Sequence, residues 1–197
     1  MAASPASPAT VSAIEKLLKD RSATSLVNFT LGPLQVTTAL LADVGKAVAA
    51  GKIKVVIDPT ISHDAIYNAK SNQLQLKRNV AAPGLLERAL IVHEATHAIN
   101  DMRKLGRTPN IDDEAAAYIA QALYLYRNHP VKTERMKDRG NPAADRLYAA
   151  AYAAAVAIIG KKNAAAIAVE VSKVRAALKL VPQYKKTIGM SAIYSGI

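Results

Sequence analysis

The stretch "APGLLERALIVHEATHAINDMRKLG", residues 82–106, decides how the rest of this chain is read. Pro83 stands where a helix starts and Gly106 where one stops, so the spacing predicts a helix between them. Ile91, Ala95, Ala98, Ile99, Met102 and Leu105 form a wide apolar stripe that docks it. Beside the stripe stand His93 and His97, four residues apart, pointing the same way one turn from each other. Two imidazole nitrogens can therefore meet one ion, and zinc accepts such donors. Glu94, rotated by roughly 100° round the helix from His93, cannot easily bind the same ion. It can reach a water on the ion's open side, as a general base would. The plainer alternative is a core helix with two structural imidazoles. The placement of HExxH mid-helix, in an apolar run behind a half-buried strand, favours the metal reading.

A catalytic zinc needs a third protein donor and a free position. No further histidine follows at the short metzincin spacing, since "HAINDMRKLGR" holds neither the glycine nor the histidine due there. After the loop "RTPN", Asn110 can cap a second helix, "IDDEAAAYIAQALYLYRN", which Pro130 ends. A short connection brings the start of this helix back towards the exposed face of the first. Its acidic residues are Asp112, Asp113 and Glu114. Asp112 and Asp113 have ordinary helix-start duties, and Asp113 stands where a capping-box partner of Asn110 belongs. Glu114 lies deeper and reaches further, so it is the preferred ligand, with Asp113 the alternative.

Outward from this pair, residues 13–20 and 34–52 have helical spacing. Residues 53–58, "IKVVID", read as a buried strand, and 72–79, "NQLQLKRN", as a half-buried strand expected at or near a sheet edge. Two more helices are expected near 142–159 and 163–180, with Gly160-Lys161-Lys162 between them. The segment "PQYKKTIGMSAIYSGI" has no legible pattern. Two short strands followed by a run of helices give an α+β fold, mainly helical, with a small sheet packed on one side.

The chain has 197 residues, enough for one domain with a real core. Its lack of cysteine excludes disulfides, thiolate zinc sites and a cysteine nucleophile. No long uncharged apolar run suits a membrane span. Residues 1–12, "MAASPASPATVS", lack the pattern of a Sec signal and read as a disordered tail, so a cytoplasmic protein or export by a non-Sec route is expected. The net charge of +11 comes from basic residues spread along the whole chain, densest in residues 126–141 and again from Lys161 to Lys186. A solvated basic face is the preferred account, with a nucleic-acid or anionic-surface partner as the lesser one. No aromatic residues interleave with the basic ones as an RNA platform would require.

"HEATH" followed by "DDEAAAYIAQAL" resembles the gluzincin branch of the zincins, with HExxH on one helix and a glutamate on the next. The compact scale is similar to single-domain bacterial metallopeptidases of the ImmA/IrrE and effector types. The resemblance covers about residues 72–128. It implies a single zincin-like domain over 13–197, with its core at about 53–128 and a helical extension at about 142–180. It implies zinc held by His93, His97 and Glu114, Glu94 as general base, and a protein or peptide substrate. The chain departs from the thermolysin pattern at Tyr118, which stands where an acidic partner for a ligand histidine would follow, and Asp101 is expected to serve instead. Tyr118, Tyr126, His129 and His63 are the candidates for stabilising an oxyanion. Substrate is expected to add as a strand along residues 72–79, with Lys77 and Arg78 either guarding that edge or favouring acidic residues in the bound peptide. The competing readings are a zincin fold kept as a binding or regulatory module with little turnover, and a basic anion binder in which the histidines are incidental.

Overall fold

The computed structural model describes residues 3–135 and 140–197. The fold is α+β and mainly helical, with a small four-stranded sheet. The start of the chain, read from sequence as a tail up to residue 12, takes part in the fold from Ser4 on. β1 (Ser4–Pro5) pairs antiparallel with β4 (Lys54–Ile57), and helix α1 (Pro8–Lys19) begins at once. Ser7 caps α1 by accepting from Thr10 N, with Pro8 at the position where a missing N–H costs nothing.

Residues 34–52 divide, contrary to the single helix expected from their spacing. β2 (Asn28–Leu31) and β3 (Leu34–Thr37) form a hairpin turned at Gly32-Pro33, where Gly32 takes φ +58°. Helix α2 (Thr38–Ala49) follows, capped by Thr37 accepting from Leu40 N. The β-branched pair Val36-Thr37 thus ends the strand and starts the helix. α2 packs closely on α1, because a Cβ at Gly45 would stand 3.2 Å from Glu15 O.

β5 (Ala65–Asn68) and β6 (Gln73–Leu76) complete the sheet in the order β1-β4-β6-β5. β6 runs parallel to β4 and antiparallel to β5, so both its sides are taken. Residues 72–79, expected at or near an edge, thus lie next to the edge and not at it. The edge strand is β5, a four-residue segment too short to show a periodicity of its own.

Helix α3 (Leu85–Met102) carries the two histidines. Glu87 bends back to the N–H of Gly84 at 2.9 Å and closes the helix start. The left-handed turn at Lys104 and Gly106 ends it. β7 (Gly106–Pro109) then leads into α4 (Asn110–Asn128). Asn100 and His97 meet Asp113, and His93 meets Glu114 and Tyr118, so contacts descend α3 while they climb α4 and the two helices run antiparallel. Ala115, Ala116, Ala117 and Ala120 on α4 are wholly buried. They let neighbouring backbones approach with little side chain between.

Past α4, the short α5 (Pro130–Arg135) precedes α6 (Pro142–Ile159) and α7 (Ala164–Leu178). Both long helices lie within about two residues of the ranges expected from sequence. The dense basic stretch at 126–141 falls partly outside the described residues. The segment without a legible pattern holds a 3-10 turn (Pro182–Tyr184) and β8 (Ser191–Tyr194), which pairs antiparallel with β7. Among the described residues no helix is long and apolar enough to cross a membrane.

Candidate metal centre

From Ile91 to Asp101 every residue of α3 is buried, including His93, Glu94, Thr96, His97, Asn100 and Asp101. So many polar groups in about three buried turns demand partners, since an unpaired one costs roughly 1–3 kcal/mol. Thr96 answers locally, its hydroxyl donating to Val92 O. Glu94, His97, Asn100 Nδ2 and Asp101 find partners on β5, on α4 and at Gly196, while His93 Nδ1 and Asn100 Oδ1 have none among the described residues.

His93, His97 and Glu114 converge. His93 Nε2 lies 3.4 Å from Glu114 Oε2, and His97 Nε2 lies 3.9 Å from Glu114 Oε1. One donor atom from each lies within 4.8 Å of the other two, and this buried group could hold a metal ion. Glu114 Oε2 and His93 Nδ1 are buried without a hydrogen-bond partner. Glu114 holds its proton less tightly than an ordinary glutamate. Burial works against that, but the facing His93 and the nearby His97 outweigh it.

Asp113, read from sequence as a helix-start acid or substitute ligand, is buried beside the cluster and faces His97. Its Oδ2 accepts from His97 Nδ1 at 2.8 Å and from the Tyr194 hydroxyl at 2.5 Å, and its Oδ1 accepts from Asn100 Nδ2 at 2.7 Å. Burial alone would raise its pKa, yet His97, Tyr194 and Asn100 together hold it below the usual aspartate value. The same pairing carries His97, against the effect of burial, up to about 10. Asp113 therefore occupies the position assigned from sequence to Asp101. Asp101 is buried elsewhere on α3, accepting from the Tyr67 hydroxyl at 2.8 Å and from Gly196 N at 3.0 Å. Asp112 points away and pairs with Arg175 at 2.7 Å.

Glu94 is fully enclosed. Its Oε2 accepts the backbone N–H of Tyr67 at 2.8 Å, and its Oε1 lies 4.0 Å from His93 Nε2 on the side of the cluster. Burial raises its pKa, only partly offset by the two histidines. Tyr67 sits opposite Leu74 in the register of β5 and β6, with its N–H turned away from β6, so Ala65, two residues earlier, turns its backbone outward as well. β5 is thus the edge strand beside the cluster, with residues 73–76 inside the sheet and the outward N–H of Tyr67 taken by Glu94.

Of the oxyanion candidates, Tyr118 stands at the site, its ring 4.7 Å from that of His93. Its hydroxyl meets that of Tyr184 at 2.9 Å. Burial raises the pKa of both phenols, which remain O–H groups at neutral pH. Tyr126 and His129 lie three or more turns further along α4, roughly 18 Å or more from Glu114. His63 is exposed in the turn before β5. Tyr67, Asn100, Tyr184 and Tyr194 escaped the sequence reading. Of these, Asn100 alone had a local signal, as the next polar residue one turn past His97.

Two clefts adjoin the centre. One, of about 470 Å³, runs between Ala65 of β5, Leu90 and Ile91 of α3, Gln121 of α4 and Tyr148 of α6, with Lys77 and Arg78 at its border. The other, of about 500 Å³, is walled by Tyr118, Leu147, Tyr148 and Val181. Tyr148 walls both, and its ring lies 5.9 Å from that of Tyr118. Arg78 is paired with Glu87 at 2.6 Å. No model of a known family matches the chain, and comparison with curated proteins and with solved structures yields no match either.

Proposed function

We propose that the protein is a zinc-dependent metallopeptidase of the gluzincin kind, hydrolysing peptide bonds in a protein or peptide substrate. The observation that carries the reading is the meeting of His93, His97 and Glu114 from two successive helices, with Glu94 beside them. The donor set, two imidazole nitrogens and one carboxylate, suits zinc. The 3.4 Å between His93 Nε2 and Glu114 Oε2 is near the edge of about 3.3 Å for a tetrahedron of donors about 2.0–2.1 Å from zinc. A cation would also satisfy Glu114 Oε2, which has no hydrogen-bond partner.

Zinc, when bound, supplies Lewis-acid polarisation of a carbonyl and makes water more acidic. His97 offers Nε2 because Asp113 occupies its Nδ1. Glu94, with its pKa raised and Oε2 tethered by Tyr67, turns Oε1 to the attacking water. It takes that water's proton as the water oxygen bonds to the scissile carbon, then gives the proton to the amine as the C–N bond breaks. The Tyr118 hydroxyl, on the ring packed against His93, and the Tyr184 hydroxyl that meets it are the donors for the developing oxyanion. The outward backbone groups of β5 and the cleft beneath them hold the substrate chain extended.

The test is zinc stoichiometry on the purified protein with proteome-wide mapping of cleaved bonds, run beside Glu94→Gln. Zinc in both forms with cleavage only in the parent supports the proposal. Zinc in both without cleavage favours a binding module, and a protein that takes up no zinc overturns the reading.

A further inference from the structure

Tyr194 lies 81 residues beyond Asp113 in sequence, on a strand that contributes nothing to the catalytic helices themselves. Its hydroxyl nevertheless makes the shortest of the three hydrogen bonds to that carboxylate, 2.5 Å against 2.7 Å from Asn100 and 2.8 Å from His97. We infer that Tyr194 is a positioning residue for the metal site, acting through Asp113 to hold His97 in the tautomer that leaves Nε2 free. This rests on the metal reading above and adds to it which distant residue tunes the site.

The argument is one of donors and acceptors. An ionised carboxylate only accepts, and it has room for several donors. Asn100 can give Asp113 Oδ1 only an N–H, and Tyr194 gives Oδ2 its O–H. Asp113 so held has no proton to give to His97, and the shared bond then places the hydrogen on His97 Nδ1. Nε2 is then the nitrogen turned to the cluster, 3.9 Å from Glu114 Oε1, where a bound ion would take it. Without the Tyr194 hydroxyl, Oδ2 loses the donor that fixes it and can swing, and the imidazole bonded to it can rotate.

The strand carrying Tyr194 is tied to the same helix turn. β8 pairs with β7 over Gly106–Tyr194 to Pro109–Ser191, and β7 runs directly into α4. Asn110 N donates to Met190 O at 3.0 Å, and the Asn110 side chain donates to Thr187 O at 2.8 Å. Beyond Tyr194, Gly196 N donates to Asp101 Oδ1 on α3 at 3.0 Å. Residues 187–196 therefore join the first turn of α4 to the last turn of α3, with the Tyr194 hydroxyl at the middle of the span.

The experiment uses the full chain and zinc alone. Zinc affinity is measured by competition with a chromophoric chelator for the parent, Tyr194→Phe, Asp113→Asn and the double variant. Tyr194→Phe is expected to weaken zinc binding about 10–100-fold, and to change the visible bands of the cobalt-substituted protein. In the double variant the loss is expected to equal that of Asp113→Asn alone, because the hydroxyl acts only through that carboxylate. Parent-like affinity in Tyr194→Phe, or losses that simply add, would overturn the inference. Should Tyr194→Phe not fold, ¹⁵N-histidine spectra of the zinc-loaded parent decide, since a proton on Nε2 of His97 contradicts it. If the parent itself takes up neither zinc nor cobalt, the metal reading has failed and not this inference alone.

Discussion

Tyr67 grips Glu94 with its backbone and Asp101 with its phenol, at 2.8 Å each. These acceptors lie two turns apart on α3, roughly 10 Å along its axis. One residue of the edge strand thus fixes the strand's position along α3, and it fixes the Glu94 carboxylate at the same time. A backbone N–H already bonded to Glu94 is not free for a bound peptide, so the strand offers an incoming chain chiefly Ala65 and the Tyr67 carbonyl.

Glu94→Gln keeps an acceptor for the Tyr67 N–H but has no basicity. Turnover is expected to fall by about 10²–10⁴ while zinc content stays that of the parent. Because burial raises the pKa of Glu94, its ionised form weakens the metal-free fold above the ordinary glutamate pKa. The chelated variant should therefore melt no lower than the chelated parent at pH 7, which differential scanning calorimetry reads directly.

Metal removal should leave a protein whose stability depends on pH through His97. Its folded pKa of about 10 stands above the ordinary 6.5. The stabilisation is complete below about pH 6.5 and is lost as pH rises through about 10. Melting temperatures of the chelated protein are expected to fall between those limits. Zinc affinity should move the other way and strengthen with rising pH, because the ion competes with a proton for Nε2. A chelated protein with a flat melting profile from pH 6 to 10 would refute the coupling of His97 to Asp113.

Tyr184→Phe removes the hydroxyl that meets Tyr118, leaving both rings in place. With these donors serving the oxyanion, kcat is expected to drop about 10²-fold with KM little changed, since the interaction forms as charge develops. A change confined to KM would place the pair in substrate binding instead.

Among the described residues Lys77 forms no ion pair at the cleft border, whereas Arg78 pairs with Glu87. Cleavage profiles on a peptide library should show a preference for acidic side chains that Lys77→Glu reverses and Arg78→Ala leaves. A parent profile indifferent to acidic positions rules this out.

How much of this was legible beforehand depended on how locally each feature is encoded. The α3 and α4 helices, the HExxH triplet and Glu114 could be found because helical period and end signals act within a turn or two. β4 and β6 were visible through Val55, Leu74 and Leu76. β5 was missed because four residues supply one buried pair, Ala65 and Tyr67, and the partner that makes them a strand is β6. The division of 34–52 was missed because apolar spacing hid the Thr37 cap. Asp113 was misjudged for a different reason: a carboxylate in a first helical turn has a sufficient local purpose, and its true partner Tyr194 enters from a ribbon with no pattern of its own. Local grammar located the candidate ligands, and only tertiary pairing could disclose what steadies them.

The alanines of α4 carry one more implication. Glu114 is followed at once by three residues whose side chains are single methyl groups with no exposed surface. Where backbones nearly touch, enlarging Ala115, Ala116 or Ala117 to valine cannot be absorbed by rotamer adjustment and would displace the helix bodily. Buried on successive sides of the helix directly after Glu114, these alanines leave mutational drift almost no room even at positions outside the cluster.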